Sequence, residues 1–232
     1  MEAITPFADE RHAAFCAQCG GQPKTRDHVP PKAFLDKPFP ANLPVVGTCG
    51  PCNGGASIDE EYVACLIEVA VCGSVKPDSL ERPRVRRALA RNPALAARFE
   101  AAFDPEAMAV TAETDRIRRV VEKTARGLWA YELAEPAVDL KADVGVQPLH
   151  LLKPETRASF ERNQPAQIFA EVGSRMTVRQ VAALGAESVA TSAGWEVVQP
   201  DRFRYAVEFD GRCVVKLVLR EYLAAEIRFG WQ

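Results

Sequence analysis

The chain has 232 residues, of which 47% are hydrophobic and 26% are charged, values that are typical of a soluble globular protein. It contains no run of roughly eighteen apolar residues, which excludes a conventional transmembrane helix, and its N-terminal residues lack the basic start and apolar core of a signal peptide. We therefore expect a cytoplasmic protein that does not enter a membrane. The net charge of −2 does not decide on a nucleic-acid partner, because residues 81–126 hold eleven bases and seven acids, whereas residues 1–60 hold five bases and seven acids.

Cysteine, proline and glycine crowd the first 55 residues, a segment too short to bury a large core without a metal or disulfides. Two C-x2-C pairs, separated by 29 residues, frame it: Cys16 with Cys19, and Cys49 with Cys52. Four thiolates form a closed tetrahedral zinc site. A redox or disulfide interpretation of one pair stays open, but two pairs in a cytosolic protein favour structural zinc. The other three cysteines are predicted to be core residues: Cys65, Cys72 and Cys213.

A predicted helix follows the second cysteine pair. Ser57 and Glu60 have the spacing of a capping box, and apolar residues then recur at helical intervals until Gly73. The next ten residues hold two prolines and two serines, which is typical of a linker. We predict a boundary there, between an N-terminal module of residues 1–75 and a second domain of residues 76–232.

The second domain is predicted to have helices first, at about residues 83–135, and antiparallel strands last, at about residues 195–229. A helical period predicts helices or turns of helix at Pro83–Asn92, Leu95–Phe99, Glu113–Leu133, Thr156–Asn163 and Thr177–Leu184. Alternation with a period of two predicts strands at Trp195–Val198, Phe203–Phe209, Cys213–Leu219 and Leu223–Phe229, with Asp210-Gly211 as a hairpin turn. The predicted fold class is therefore α+β.

His28 lies between the two cysteine pairs. A histidine on its own is most often a structural residue, but His28 directly follows Asp27 and is accompanied by Asn42 and by Asn53, which directly follows Cys52. The ordered set C-x2-C, D-H, N-L and C-x2-C-N resembles the zinc-bearing branch of the HNH, or ββα-metal, nuclease family. The resemblance covers less than a quarter of the chain.

The resemblance implies a fold and a set of roles. A β-hairpin would carry Asp27 and His28, the helix after the second cysteine pair would pack across it, and zinc would hold the ends. His28 would be the general base that takes a proton from water, since imidazole titrates near neutral pH. Asp27 and Asn53 would hold one Mg²⁺ or Mn²⁺ ion against the scissile phosphate, while Asn42 would steady the hairpin loop and orient His28. Cleavage would leave a 5′-phosphate.

One position departs from the family pattern. Many members carry a lysine shortly after the C-x2-C-N element, where this chain has Gly54-Gly55-Ala56. Asp59 and Glu60 could add a metal ligand, although acids in a first helical turn more commonly stabilise the helix. Some loop bases could contact phosphate and are otherwise solvated charges: Lys24, Arg26 and Lys32.

Two functions are compatible with these features. We expect a metal-dependent endonuclease that acts on nucleic acid, with DNA favoured; the alternative is a non-catalytic zinc module that binds nucleic acid or a protein partner. The D-H and N residues favour the first, because a binding module has no use for His28. The second domain would recognise a substrate, sense a ligand or regulatory partner, or form a homodimer. The bases of one predicted helix could follow a phosphate backbone or form a solvated face: Arg82, Arg84, Arg86, Arg87 and Arg91.

Overall fold

The described part of the chain, in this computed structural model, comprises residues 14–162, 170, 172–185, 194–209 and 213–230. Its first element is an antiparallel hairpin in which β1 (Thr25–His28) pairs with β2 (Val45–Thr48), so that His28 lies opposite Val45. Two helices follow directly: α1 (Gly50–Gly54) and α2 (Ser57–Cys72). The hairpin therefore ends next to the second cysteine pair, and Cys49 is the N-cap residue of α1.

Helix α2 begins without the predicted capping box. Ala56 occupies the N-cap position, and the Ser57 hydroxyl donates to the carbonyl of Gly54 at 3.2 Å. The capping-box prediction is wrong because α1 ends just before α2, and its last carbonyl accepts the serine hydroxyl. The predicted end is confirmed, since Gly73 adopts a left-handed φ of 64° that stops the helix.

The helical region contains three helices: α3 (Pro83–Arg91), α4 (Pro93–Ala102) and α5 (Thr114–Leu133). Helix α4 is longer than the predicted turn, and the side chain of Asn92 caps it by accepting the Leu95 amide at 3.1 Å. A short ladder of β3 (Phe103–Asp104) and β4 (Ala109–Val110) precedes α5. The predicted apolar face of α5 is buried: Ile117, Val120, Val121, Thr124 and Leu128, with Tyr131. Among the helices of the described residues, none is both long and apolar enough to cross a membrane.

A C-terminal antiparallel sheet completes the predicted α+β fold. Its strands among the described residues are β5 (Lys141–Pro148), β6 (Glu196–Gln199), β7 (Phe203–Phe209), β8 (Cys213–Leu219) and β9 (Leu223–Gly230), in the spatial order β5-β9-β8-β7-β6. Strand β5 was not predicted, because it is an edge strand whose sequence is interrupted by Gly145 and ends in Pro148. Two helices precede β6: α6 (Pro154–Glu161) and α7 (Arg175–Gly185). The predictions at Asn163 and Asp210-Gly211 lie outside the described residues.

Helix α5 lies close to the hairpin. A Cβ added at Gly127 would lie 2.8 Å from Cγ2 of Val29, the residue after His28, so the absence of a side chain at Gly127 allows this approach. The Gln18 amide donates to the Lys123 carbonyl at 3.0 Å and attaches the first cysteine pair to the same helix. One hydrophobic cluster combines residues of the hairpin, α2, α5 and the C-terminal sheet. Helix α5 therefore supports the hairpin from within the main core.

Candidate functional site

The four cysteines predicted to bind zinc come together. The Sγ atoms of Cys16, Cys19, Cys49 and Cys52 all lie within 4.8 Å of one another. The Cys19 and Cys49 sulfurs are 3.9 Å apart. In a tetrahedral site with zinc–sulfur bonds of about 2.3 Å, neighbouring sulfurs are about 3.8 Å apart. The cluster therefore fits a metal ion such as zinc and can hold one.

Backbone turns hold the first cysteine pair in place. The Cys16 carbonyl accepts the Gly20 amide at 2.8 Å. Gly20 has a φ of +70°, and a Cβ added there would lie 2.9 Å from Cγ2 of Val138, so both conformation and space favour glycine. The Ala17 amide donates to the Gly47 carbonyl of β2 at 2.9 Å. The first pair is therefore fixed to the hairpin that leads to the second pair.

The thiols of the cluster differ in acidity. Burial raises the pKa of the Cys16 thiol, but hydrogen bonds from nearby backbone N–H groups, that of Cys49 first among them, lower it to about 7. Burial and the neighbouring thiols raise the pKa of Cys52. Because one thiolate opposes the formation of the next, a bound cation is what would stabilise four thiolates at this spacing.

Three of the four polar residues singled out in the sequence lie on β1 or beside it. Asp27 and His28 are the last two residues of β1, and both are half-buried. Asn53 lies in α1, and its Nδ2 donates to the Arg26 carbonyl at 3.1 Å, which fixes Asn53 beside the residue that precedes Asp27. Asn42 is exposed, in the turn before β2. Its role in orienting His28 stays a prediction.

A lysine from α5 contacts this group of residues. Nζ of Lys123 lies 2.6 Å from Oδ2 of Asp27 and 2.7 Å from Oε1 of Glu60. The three side chains are 10%, 14% and 14% exposed, respectively. Burial lowers the pKa of the Lys123 ammonium, but the two carboxylates outweigh it and raise the pKa overall. Sequence analysis missed Lys123, and the one signal available was its place on the basic side of a strongly amphipathic helix.

Asp59 also binds cations of α5. Its carboxylate accepts Nε of Arg116 at 2.7 Å and Nε of Arg119 at 2.8 Å. Burial raises the pKa of Asp59, but these two guanidinium groups lower it below its usual value. Asp59 and Glu60 therefore act as ion-pair partners of α5, a role that sequence analysis did not consider.

The bases near the hairpin differ in exposure. Lys24 and Arg26 are exposed, whereas Lys32 is half-buried, with Nζ 5.2 Å from the centre of the Phe39 ring. The first two side chains are therefore accessible to a ligand, and Lys32 also makes a cation–π contact.

Arg82 departs from the expectation for the five arginines of residues 82–91. Its side chain is buried, and it donates to the carbonyls of Ala33 and Leu35, both at 2.9 Å. It also pairs with Asp36 at 2.8 Å. A phosphate contact by Arg82 is therefore ruled out by its burial. The remaining four are exposed: Arg84, Arg86, Arg87 and Arg91.

The remaining cysteines lie outside the metal cluster. Cys65 and Cys213 are buried in the core, as predicted, whereas Cys72 is half-buried and its thiol donates to Glu68 at 3.7 Å. In the described ranges, the four-cysteine cluster is the one group of three or more His, Cys, Asp and Glu side chains at ligand spacing.

Comparisons of the chain with protein-family models, curated proteins and solved structures give no match. A function for the chain is therefore inferred from the contacts of its own residues.

Proposed function

We propose that the chain is a metal-dependent endonuclease of the HNH, or ββα-metal, type that hydrolyses phosphodiester bonds in nucleic acid, with DNA as the expected substrate. One observation carries the proposal. The Asn53 amide donates to the Arg26 carbonyl, which holds Asn53 beside the strand that ends in Asp27 and His28, and Asn53 directly follows Cys52 of the thiol cluster. A zinc module that only binds a partner requires the thiols but not this polar group.

A second, catalytic cation would take its protein ligands from Asp27 and Asn53. Lys123 contacts Oδ2 of Asp27, and Asn53 donates through Nδ2, so Oδ1 of each side chain is the oxygen that would hold Mg²⁺ or Mn²⁺. Such an ion would neutralise charge on the phosphate and on the leaving oxygen.

His28 is the general base of the proposed reaction. An imidazole nitrogen accepts a proton from water as the water oxygen bonds to phosphorus, and the bond from phosphorus to the 3′ oxygen breaks. The leaving oxygen takes a proton from solvent, and the 5′-phosphate stays on the other fragment. Asn42, exposed before β2, steadies the loop on the open side of the hairpin.

A zinc module that binds nucleic acid or a protein partner without cutting is the second candidate. The observation that favours it is the ion pair between Lys123 and Asp27, because a lysine ammonium already neutralises the carboxylate that would hold the catalytic ion. In this alternative, the Lys123 contact is permanent and the hairpin serves only as a scaffold.

Cleavage of a supercoiled plasmid in Mg²⁺ or Mn²⁺ tests the proposal. The native chain is compared with His28→Ala and with the matched control His150→Ala, since His150 is an exposed histidine that contacts the Ala107 carbonyl at 2.8 Å. Equal zinc content and equal thermal unfolding show that the variants are folded. We expect the native chain and the control to cut the plasmid at similar rates. We expect His28→Ala to cut it at least about a hundredfold more slowly.

Other results would change the conclusion. Equal cutting by His28→Ala and His150→Ala would remove His28 from the mechanism. No cutting of single-stranded DNA, double-stranded DNA or RNA by the native chain would favour the non-catalytic module.

A further inference from the structure

Helix α3 exposes a row of arginines on one side. Arg84, Arg87 and Arg91 are spaced three and four residues apart, which places them on the same face of the helix, and all three are exposed. We call them the α3 arginine row. The buried residues of α3 lie on a different side: Val85, Ala88 and Leu89. The row is therefore a solvent-facing surface of α3.

The charges of the α3 arginine row are weakly neutralised. Arg91 approaches Glu61 at 3.4 Å, but the two side chains are 69% and 42% exposed, so solvent screens the pair. Nε of Arg87 donates to the neutral Pro83 carbonyl of its own helix at 3.2 Å. Within the described residues, neither Arg84 nor Arg87 has an ion pair. The row therefore presents close to three positive charges to solvent.

Contacts at both ends of α3 connect it to elements near the candidate site. At its start, Arg82 donates to the carbonyls of Ala33 and Leu35, in the loop that joins β1 to β2. At its end, Arg91 makes a solvent-screened contact with Glu61 of α2, the residue after the Glu60 that shares Lys123 with Asp27. Helix α3 is therefore attached to the hairpin loop through Arg82, and it packs next to α2.

We infer that the α3 arginine row binds the phosphate backbone of the nucleic acid that the hairpin site acts on. This inference rests on the proposed function for its ligand. Guanidinium groups suit phosphate because their planar donors match its oxygens and because they are more weakly hydrated than an ammonium group. From Arg84 to Arg91 the helix rises about 10 Å, a length over which one strand of a duplex advances by about three nucleotides, at about 3.4 Å each along the duplex axis. The row therefore contacts up to three phosphates, independently of base sequence.

The test measures binding rather than cutting. His28→Ala protein, which leaves the substrate intact, is titrated with a labelled 30-base-pair duplex over a series of salt concentrations. The row variant combines Arg84→Gln, Arg87→Gln and Arg91→Gln in this His28→Ala protein. The matched control is Lys141→Gln, Lys153→Gln and Arg157→Gln, which removes the same charge from exposed positions elsewhere. Circular dichroism and thermal unfolding check that both variants are folded.

We expect the row variant to bind at least about tenfold more weakly than the control and to lose about 2 to 3 from the slope of log affinity against log salt. Equal weakening in both variants would reduce the effect to net charge and overturn the inference. Unchanged binding in the row variant would also overturn the inference. It would favour an acidic protein surface as the partner of the row. Cutting is measured separately with the native chain. If the native chain cuts nucleic acid and the row variant binds it normally, the inference about the row is refuted and the proposed function is not.

Discussion

Lys123 and Asp27 form an ion pair in which Nζ lies 2.6 Å from Oδ2, although the two residues belong to different predicted domains. Glu60 accepts the same ammonium at 2.7 Å, so two carboxylates share one positive charge. In the proposed HNH type, many members carry a lysine shortly after the C-x2-C-N element, where this chain has Gly54-Gly55-Ala56. Here a positive charge reaches the hairpin from α5 instead.

Lys123→Met is expected to have two opposite effects. It leaves Asp27 and Glu60 largely buried without their shared counter-charge, which lowers the free energy of unfolding by about 1–3 kcal/mol. It also removes the cation that competes for Asp27, so Mn²⁺ binding becomes tighter by about tenfold, or 1.4 kcal/mol. Urea unfolding and Mn²⁺ titration followed by electron paramagnetic resonance measure the two effects. Lys76→Met, at an exposed position, is the control. Unchanged Mn²⁺ affinity would show that Lys123 does not compete with a metal.

Zinc binding by the four cysteines gives a second prediction. The native chain should contain one zinc ion, and Cys19→Ser should lose most of it, because a closed tetrahedral site needs all four sulfurs. Loss of zinc should unfold the hairpin, since binding energy on the order of 10 kcal/mol is folding energy for so small a unit. Elemental analysis and circular dichroism are the measurements, with Cys72→Ser as a control outside the cluster. A full zinc content in Cys19→Ser would contradict the site.

Glu68 and Arg220 connect α2 to the C-terminal sheet. Glu68 is fully buried, its Oε1 accepts the Arg82 amide at 2.8 Å, and its Oε2 accepts the Arg220 guanidinium. Glu68→Ala leaves the buried Arg220 guanidinium with the exposed Glu81 carboxylate as its ion-pair partner, and it should lower the free energy of unfolding by about 3–5 kcal/mol in urea. Glu68→Leu combined with Arg220→Met should recover part of that loss. A double variant as unstable as Glu68→Ala would show that the charge pair is not the cause.

Asp36 makes the stability of the fold sensitive to acid. Burial raises the pKa of Asp36, but hydrogen bonds and charge from Arg82 at 2.8 Å and Arg202 at 2.5 Å outweigh it, so the pKa is lowered. A carboxyl whose pKa is lower in the folded state contributes stability above its unfolded pKa of about 3.9, and that contribution is lost as the pH falls through the folded value.

Asp36→Asn should therefore lower the melting temperature at pH 7 and make its fall below about pH 4 shallower than that of the native chain. Thermal unfolding between pH 2.5 and pH 7 measures this difference. Asp78→Asn, at an exposed position, is the control for charge. Parallel curves for Asp36→Asn and the native chain would rule out this role for Asp36.

Local sequence patterns were sufficient for the main elements. Strands β7 and β8 have the predicted bounds, and α5 begins within one residue of its predicted start. The apolar pattern succeeds for these elements because each buries at least one face or stripe along its length, and β8 is buried on both faces. The pattern fails for β5, where an edge position tolerates glycine and charge, and at the start of α2, where a neighbouring helix replaces the expected cap.

The residue types and spacing of the cysteines, Asp27, His28 and Asn53 indicated the candidate chemistry, because metal ligands and bases must be of particular types. The packing of α5 against the hairpin supplied what those patterns lack: the approach of Gly127 to Val29 and the contact of Lys123 with Asp27. Both pairs lie far apart in the chain, and their meeting depends on how whole elements pack. Periodicity records which face of an element is buried, but it does not record which partner covers that face.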